Sequence, residues 1–535
     1  MAALLGDERA TAVDELLADL IQRELVAPRS ERRFAGEHEY TFRHALVREG
    51  AYAMLTERDR QLGHGLAGAW LERAGEPDPA VLAEHFERGG EGARAARWHA
   101  RAARRALMAN ELTAALTAVD RGITSGAEGE LAAELWATRT TAEHMMGNHA
   151  IAGSAAAEAM RLSAPGSLNY CRGLGGMIRS ALFLGRFETL SPAMSQLLAI
   201  EPTNETRGEL VWAMQGVVLS LLFGKGLRDM AAPILERLRA IAPGAAEEDP
   251  MSAAEMHSTR AQWELHVNRN PEAAVLQSQA AERLLQLAGN RFNQGFAAGE
   301  SAMALMMLGA FEEAHARLLH AVELAAKDSV CVTFCRFLRC CLLVEQGMPA
   351  EAVTEAQGAL EAEKARGQSI IFHGFENVLA AALLSSGQLD ASERMLVAAG
   401  AGASGYYWMD TEARGIRASL LLARGQIADA IRESEEVIAL CRSAGVYPLR
   451  HTATLLTRAE ALHAAGDIDA AKLAIREARD DLLARAACIE VPAYRESFLT
   501  RSPANARTLA LAAAWLDGAR CHDRAITAGR SPPVV

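Results

Sequence analysis

A short turn signal returns along this chain at a near-constant interval, and that interval constrains the fold more than any single residue does. Gly147, Gly185, Gly224, Asn268, Gly309, Gly347, Gly387, Gly425 and Gly466 are separated by 38, 39, 44, 41, 38, 40, 38 and 41 residues. Gly, and less readily Asn, accepts the left-handed backbone conformation that ends a helix. Nine such ends at one period predict a stack of helix–turn–helix units, in which each unit buries its apolar face only against its neighbours.

The residues around each turn specify how the helices pack. Five positions after the turns stand Ala152, Leu190, Asp229, Ala273, Ala314, Ala352, Ser392, Ala430 and Ala471. Seven positions before the last six turns stand Ala261, Ala302, Cys340, Ala380, Ala418 and Ala459. Small side chains at these two places let antiparallel helices approach closely. Two residues after the turn an apolar side chain recurs, as in Phe187, Phe311, Leu389, Ile427 and Ile468, where it plugs the gap between helices.

This pattern resembles the tetratricopeptide repeat (TPR), with Ala302, Leu305, Gly309, Phe311, Ala314 and Ala321 filling the signature places in one unit. The period is about 40 residues against about 34 in the commonest TPR, so longer helices are expected. The earlier units match less well, with Ile178 and Val217 where a small residue is expected. HEAT and armadillo repeats share the period and are the structural alternative, but the Gly-x-apolar-x-x-Ala turn favours TPR. The fold class expected is therefore all-α, a TPR-like helical-repeat solenoid with a small N-terminal winged-helix remnant.

Composition excludes several function classes. Over 535 residues the net charge is −12, which disfavours nucleic acid and anionic membrane as partners. Only four of the 55 basic residues are Lys. The longest apolar stretch, Val211 to Phe223, is interrupted by Gln215, Gly216 and Ser220 and falls short of the roughly 20 residues that cross a bilayer. The N-terminus lacks the basic start of a secretory signal, so a cytoplasmic protein is expected. The eight cysteines show no paired C-x-x-C spacing. Cys331 and Cys335, one helical turn apart, can share a metal or a disulfide in principle; the favoured reading, with Cys340 standing at an Ala position, is that these residues pack as small apolar side chains.

The first sixty residues follow a different pattern. Val13 to Val26 reads as an amphipathic helix ended by Pro28, Arg33 to Phe42 as a hairpin around Gly36, and Ala45 to Leu55 as a second helix. Strands are expected nowhere else. The run Tyr40 to Leu55 resembles the winged-helix segment that follows the NTPase module in bacterial STAND-type regulators. Leu82 to Gly90 and Tyr494 to Leu509 resemble further blocks of that group, in particular the C-terminal part of myxobacterial serine/threonine protein kinases with ATPase and TPR regions. The divisions expected are 1–57 for the winged-helix remnant, 58–130 for a helical linker, 131–500 for the repeat array, and 501–535 for a C-terminal helix and frayed tail.

The family's catalytic parts do not occur. The strand Lys, His-Arg-Asp and Asp-Phe-Gly elements of a kinase are missing. Gly224-Lys225 is followed by Gly226 and preceded by Leu219 where a P-loop needs Gly, so it reads as an interhelical turn. Gly63-His64-Gly65-Leu66-Ala67-Gly68 matches Gly-x-Gly-x-x-Gly but lies within a helix-period segment and follows no strand. Arg94, Arg97, Arg101, Arg104 and Arg105 read as a solvated helix face rather than a nucleic-acid patch.

A non-catalytic regulatory or scaffold protein follows, with no catalytic, cofactor or metal residues and with a protein partner, an ATPase or kinase module among the candidates. Two alternatives stand beside it. One is the C-terminal sensor fragment of a serine/threonine kinase with an AAA ATPase; kinase or ATPase activity would then belong to a missing N-terminal part. The other is a winged-helix transcription regulator, disfavoured because Arg48 faces Glu49 in the candidate recognition helix. In the TPR register Phe296, Met303, Met306, Phe334 and Phe337 lie toward the inner groove and are the candidate partner-binding residues; the favoured alternative is that the longer helices of a 40-residue period bury them against the next repeat. The resemblance to STAND proteins implies that His44 contacts a nucleotide held by another polypeptide, against a packing or capping role.

Overall fold

Seven of the nine turns close through one and the same pair of hydrogen bonds. In the computed structural model of the protein, Gly309 N–H donates to the Met306 carbonyl and Ala310 N–H to the Leu305 carbonyl. This is the Schellman motif, which satisfies the last carbonyls of a helix and places its first residue in the left-handed region. The same pair forms at Gly147, Gly185, Gly347, Gly387, Gly425 and Gly466, and φ at the seven glycines lies between 68° and 85°.

The other two turns fall elsewhere than expected. Around Gly224 the helix widens into a π-turn, Ser220–Gly224, and the left-handed residue is Gly226, with φ 64°. A side chain on Gly224 would collide with the Phe187 ring, so glycine serves close approach there and not the turn. At the fourth turn Arg269 takes the positive φ, 58°, while the Asn268 amide donates to Glu264 Oε2 at 2.8 Å. Counting five residues on from the true turns reaches Ala231 and Ala274 in place of Asp229 and Ala273, and both are buried. The packing rule holds once the register is corrected.

The structure describes residues 12–30, 33, 34, 36–242, 249–327, 329–366, 370–400 and 405–517, so the tail expected at the extreme C-terminus lies outside the described residues. These residues form 26 α-helices and two short strands. The chain divides into two compact units, Met1–Ala142 with Arg161–Ser163, and Glu143–Met160 with Ala164–Val535.

In the first unit the helix Val13–Gln22 stops four residues before the expected end. Glu24, at φ 57°, and Leu25 close it with another Schellman pair, which turns the chain into a strand at Val26–Pro28. That strand pairs antiparallel with Tyr40–Phe42 in the register Val26 to Phe42. The expected first strand, at Arg33 and beyond, instead belongs to the connection, and Pro28 sits in a strand rather than ending a helix. The helix Ala45–Ala53 follows, then Glu57–Ala74, Pro79–Arg88, Gly92–Met108 and Leu112–Thr124, of which the last four pack in sequence.

The second unit is a TPR-like helical-repeat solenoid. Its first helices, Leu168–Leu184, Arg207–Leu219, Pro250–His266, Arg291–Met307, Val330–Glu345, Ile370–Ser385, Tyr407–Ala423 and His451–Ala464, each pack on the next of the same series and form an inner layer. Second helices such as Phe311–Leu324, Pro349–Arg366 and Ile468–Ala487 lie outside them. Ala302, Ala314, Cys340, Ala352, Ala380, Ala418, Ala430, Ala459 and Ala471 are buried where the helices cross. In the early repeats, Gly216 and Gly175, one and three residues before the expected positions, allow the close approach. A Cβ on Gly216 would stand 3.0 Å from Ile178 Cγ2, and one on Gly175 would stand 2.5 Å from the Trp212 ring. Cys331, Cys335 and Cys340 pack in the apolar core, and burial pushes the Cys340 thiol up to about 12.

Candidate functional site in the inner layer

The inner layer presents aromatic side chains from successive repeats. On Arg291–Met307, Phe292 meets Phe296 with ring centroids 5.1 Å apart; Phe296 stacks on Phe334 of Val330–Glu345 at 5.6 Å and 23°. Gly299 makes this stack possible, since a Cβ there would stand 3.1 Å from the Phe334 ring. All three rings are half-buried. Further along, Phe337 meets Phe375 at 5.9 Å and Trp408 at 6.4 Å.

Of the five residues expected to face the groove, Phe296 and Phe334 keep partial exposure. Met303 and Met306 are 4% exposed and Phe337 is 7% exposed, so these three are buried rather than open in the groove. They share one apolar cluster with Leu482, Ile489 and Phe498, from a part of the chain far along the sequence. The groove at this level is partly filled by the protein itself.

That filling is built from specific polar contacts as well as apolar ones. Ser497 Oγ donates to the Leu308 carbonyl at 2.7 Å, and both Arg501 Nη atoms donate to Glu312 at 2.7 Å. Val491 N–H donates to Glu272 Oε1 at 3.1 Å, Tyr494 Oη to Glu313 at 2.8 Å, and Arg269 Nη2 to Asp481 at 2.8 Å. Tyr447 N–H donates to the His266 carbonyl at 2.8 Å, and Tyr407 Oη to the Val446 carbonyl at 2.6 Å. The helix Pro492–Thr500 thus crosses the turn at Gly309, while Pro503–Ala512 packs on His451–Ala464 and Ile468–Ala487. The periodicity that revealed the repeats carried no signal for the closing helices, because Pro492–Thr500 and Pro503–Ala512 lie beyond the last turn.

Between the closing helices and the inner layer lies a cavity of about 820 Å³ of empty space, solvent at its mouth included. Its wall includes Met306, Phe337, Trp408 and Met409, with Asn377, Glu412, Arg450 and Arg485 among its polar groups. Glu412 accepts from Arg450 N–H at 3.2 Å, and burial pushes its carboxyl up to about 7 against the attraction of Arg450. Arg450 Nη1 lies 3.3 Å from Glu345 Oε1. Arg485 donates to Thr452 Oγ1 at 2.9 Å, and burial lowers its guanidinium to about 9. Sequence reasoning found Met306 and Phe337 but missed Asn377, Trp408 and Glu412, whose helices carry no distinguishing motif.

His44 is the N-cap residue of Ala45–Ala53, but its side chain makes no capping hydrogen bond and is exposed, so neither packing nor capping engages it. The Gly63 to Gly68 run lies inside Glu57–Ala74, where a Cβ on Gly68 would stand 3.0 Å from the Phe86 ring. The arginine-rich helix Gly92–Met108 is tied to acids, Arg94 to Glu72 and Glu91, Arg104 to Glu134, and Arg105 to Asp78. Lys225 sits over the Phe187 ring at 4.6 Å in an interhelical turn. No helix among the described residues is long and apolar enough to cross a membrane.

Fold and inner layer together define a TPR-like helical-repeat protein. No family model and no curated protein matches the chain. Among solved structures it is similar to a Rap protein complexed with competence and sporulation factor, at 11% identity over 65% of this chain and 99% of that one, with a TM-score of 0.43. It is also similar to the Cut9–Hcn1 assembly of APC/C, at 13% identity over 88% and 95% of the two chains and a TM-score of 0.39. A STAND protein with a tetratricopeptide-repeat sensor from Pyrococcus horikoshii matches at 14% identity over 90% of this chain and 59% of that one, with a TM-score of 0.29.

Proposed function

We propose that this chain is the non-catalytic, partner-binding repeat region of a cytoplasmic bacterial regulator, and that it holds a protein segment through Phe296 and Phe334. The observation supporting this reading is the stack Phe292, Phe296 and Phe334, which adjoining inner helices bring together yet leave half-exposed. Rigid aromatic faces at the surface lose little entropy on binding and suit an apolar or amphipathic segment. The test is affinity capture from the native organism with the wild-type chain and with Phe296→Ala and Phe334→Ala combined. Loss of a partner identified by mass spectrometry, at an unchanged melting temperature, is expected. Equal recovery by both proteins would overturn the assignment.

A second contact face is favoured by the helix Ala45–Ala53, which buries none of its residues. Leu46 and, just beyond it, Met54 are more than four-fifths exposed, at 82% and 86%. The reading consistent with the STAND resemblance is that this winged-helix remnant docks on an NTPase module, with His44 toward the nucleotide. Leu46→Ser with Met54→Ser is expected to abolish binding to such a module without lowering the melting temperature. Unchanged binding would remove this face from the account.

A further inference from the structure

The glycines of the Gly63 to Gly68 run bring two helices close enough to place two imidazoles together. Where Glu57–Ala74 crosses Pro79–Arg88, a Cβ on Gly89 would stand 2.8 Å from the Gly65 nitrogen, and one on Gly68 would stand 3.2 Å from His85 Cβ. Glycine suits so close a backbone approach, because a side chain there would part the helices. His64 and His85 meet at this crossing, with their Nδ1 atoms 3.2 Å apart and their ring centroids 5.1 Å apart. Both residues are half-buried and so remain reachable from solvent.

That separation fits two ligands of one tetrahedral ion. Zn–N bonds of about 2.0–2.1 Å at the tetrahedral angle put two nitrogens about 3.3–3.4 Å apart, whereas the right angle of a square-planar or octahedral ion puts them about 2.9 Å apart. His64 also has the outer contact that zinc-bound histidines commonly make. With Nδ1 on the ion, Nε2 carries the proton and can donate to Tyr52 Oη, 2.8 Å away. Arg88, one turn beyond His85, is held by Glu84 at 2.6 Å, so its charge is not left unopposed beside a cation. Among the described residues no set of three His, Cys, Asp or Glu side chains converges on one point, so two coordination positions are left to water.

We propose that His64 and His85 bind one Zn²⁺ ion through their Nδ1 atoms, with water in the remaining positions, and that the ion staples Glu57–Ala74 to Pro79–Arg88. Through Tyr52 the same ion steadies Ala45–Ala53, a helix that buries none of its residues. The site lies within the first compact unit and rests neither on the Phe296–Phe334 stack nor on the docking of Ala45–Ala53 to another protein.

The test is calorimetric titration of the full, untagged, metal-stripped chain with zinc chloride. Saturable binding of one Zn²⁺ is expected, and X-ray absorption at the zinc edge is expected to show two imidazole nitrogens and two oxygens at about 2.0–2.2 Å. His64→Ala and His85→Ala are each expected to abolish saturable binding with the fold retained by circular dichroism. If either fails to fold, the glutamine variant at the same position takes its place. Tyr52→Phe is expected to weaken binding about tenfold, the lower end of what an outer contact contributes. His315→Ala, which removes an exposed histidine of the second unit, is expected to change nothing. Absence of saturable zinc binding, or binding that survives loss of both His64 and His85, would overturn the proposal and leave the pair as an N–H···N hydrogen bond between neutral rings. Equal affinity of Tyr52→Phe and wild type would remove Tyr52 from the site.

Discussion

Glycine does two different jobs in this protein, and single substitutions separate them. Gly425 and Gly309 both hold a left-handed conformation, at φ 75° and 72°, which costs an L-residue roughly 1–2 kcal/mol. Nothing surrounds the place where a Gly425 Cβ would go, whereas a Gly309 Cβ would stand 2.6 Å from the Ser497 carbonyl oxygen. Gly425→Ala is therefore expected to cost roughly the conformational penalty alone, and Gly309→Ala about 1–3 kcal/mol more because the closing helix must move. Equal losses in chemical denaturation would show that the closing helix is not held against that turn. A second residue-scale effect is titration. The Glu412 carboxyl, raised from 4.5 to about 7 by burial, contributes stability that is full below pH 4.5 and is lost as pH rises through 7. Glu412→Gln is expected to stabilise the protein by about 1–3 kcal/mol at pH 8.5 and by little at pH 5. His149 and His266, lowered by burial to about 4, act in the opposite sense, since their contribution is present above pH 6.5 and lost as pH falls toward 4. Melting temperature against pH for wild type and variant reads both effects.

At the scale of the element, the repeat rests on small residues at helix crossings. Ala314, fully buried in Phe311–Leu324, and Ala316, exposed on the same helix, give a matched pair. Ala314→Leu is expected to cost about 1–3 kcal/mol by overpacking, and Ala316→Leu less than about 0.5 kcal/mol. Indistinguishable melts would refute the register. These positions were legible in the sequence because a fixed Gly-to-Ala offset repeats. Asp229 and Ala273 were misplaced by two residues and one, since a π-turn and a left-handed Arg269 carry the helix ends past Gly224 and Asn268, the residues from which the offset is counted. Val26 was misread for a related reason: Glu24 in the left-handed region is rare enough that nothing in the sequence marks it.

At the scale of the repeat unit as a whole, nearest-neighbour packing is supplemented by contacts over long sequence separations. Phe498 is fully buried in the cluster that holds Leu305, Phe311 and Leu338. Phe498→Ala is expected to cost about 3–5 kcal/mol and to increase hydrogen exchange in Arg291–Met307 and Phe311–Leu324 as well as in its own helix. Exchange confined to residues after 490 would mean that the array is stable without its closing helices. In an open solenoid such a change would be felt only by the adjacent repeats.

The helices, their pairing and their period were determined by the sequence itself, because capping and close packing are local requirements met at fixed offsets by Gly309, Phe311, Ala314 and their equivalents. The same local grammar identified Phe296 and Phe334 on inner helices. Which inner residues remain accessible was decided only in the tertiary structure. Met303, Met306 and Phe337 are buried in one apolar cluster that also takes in Phe498 and Ile489 from far along the chain, and Asn377 and Trp408 come into one cavity from helices about thirty residues apart in sequence. Such contacts depend on the accumulated rotation of many repeats, and no short stretch of the sequence encodes that rotation.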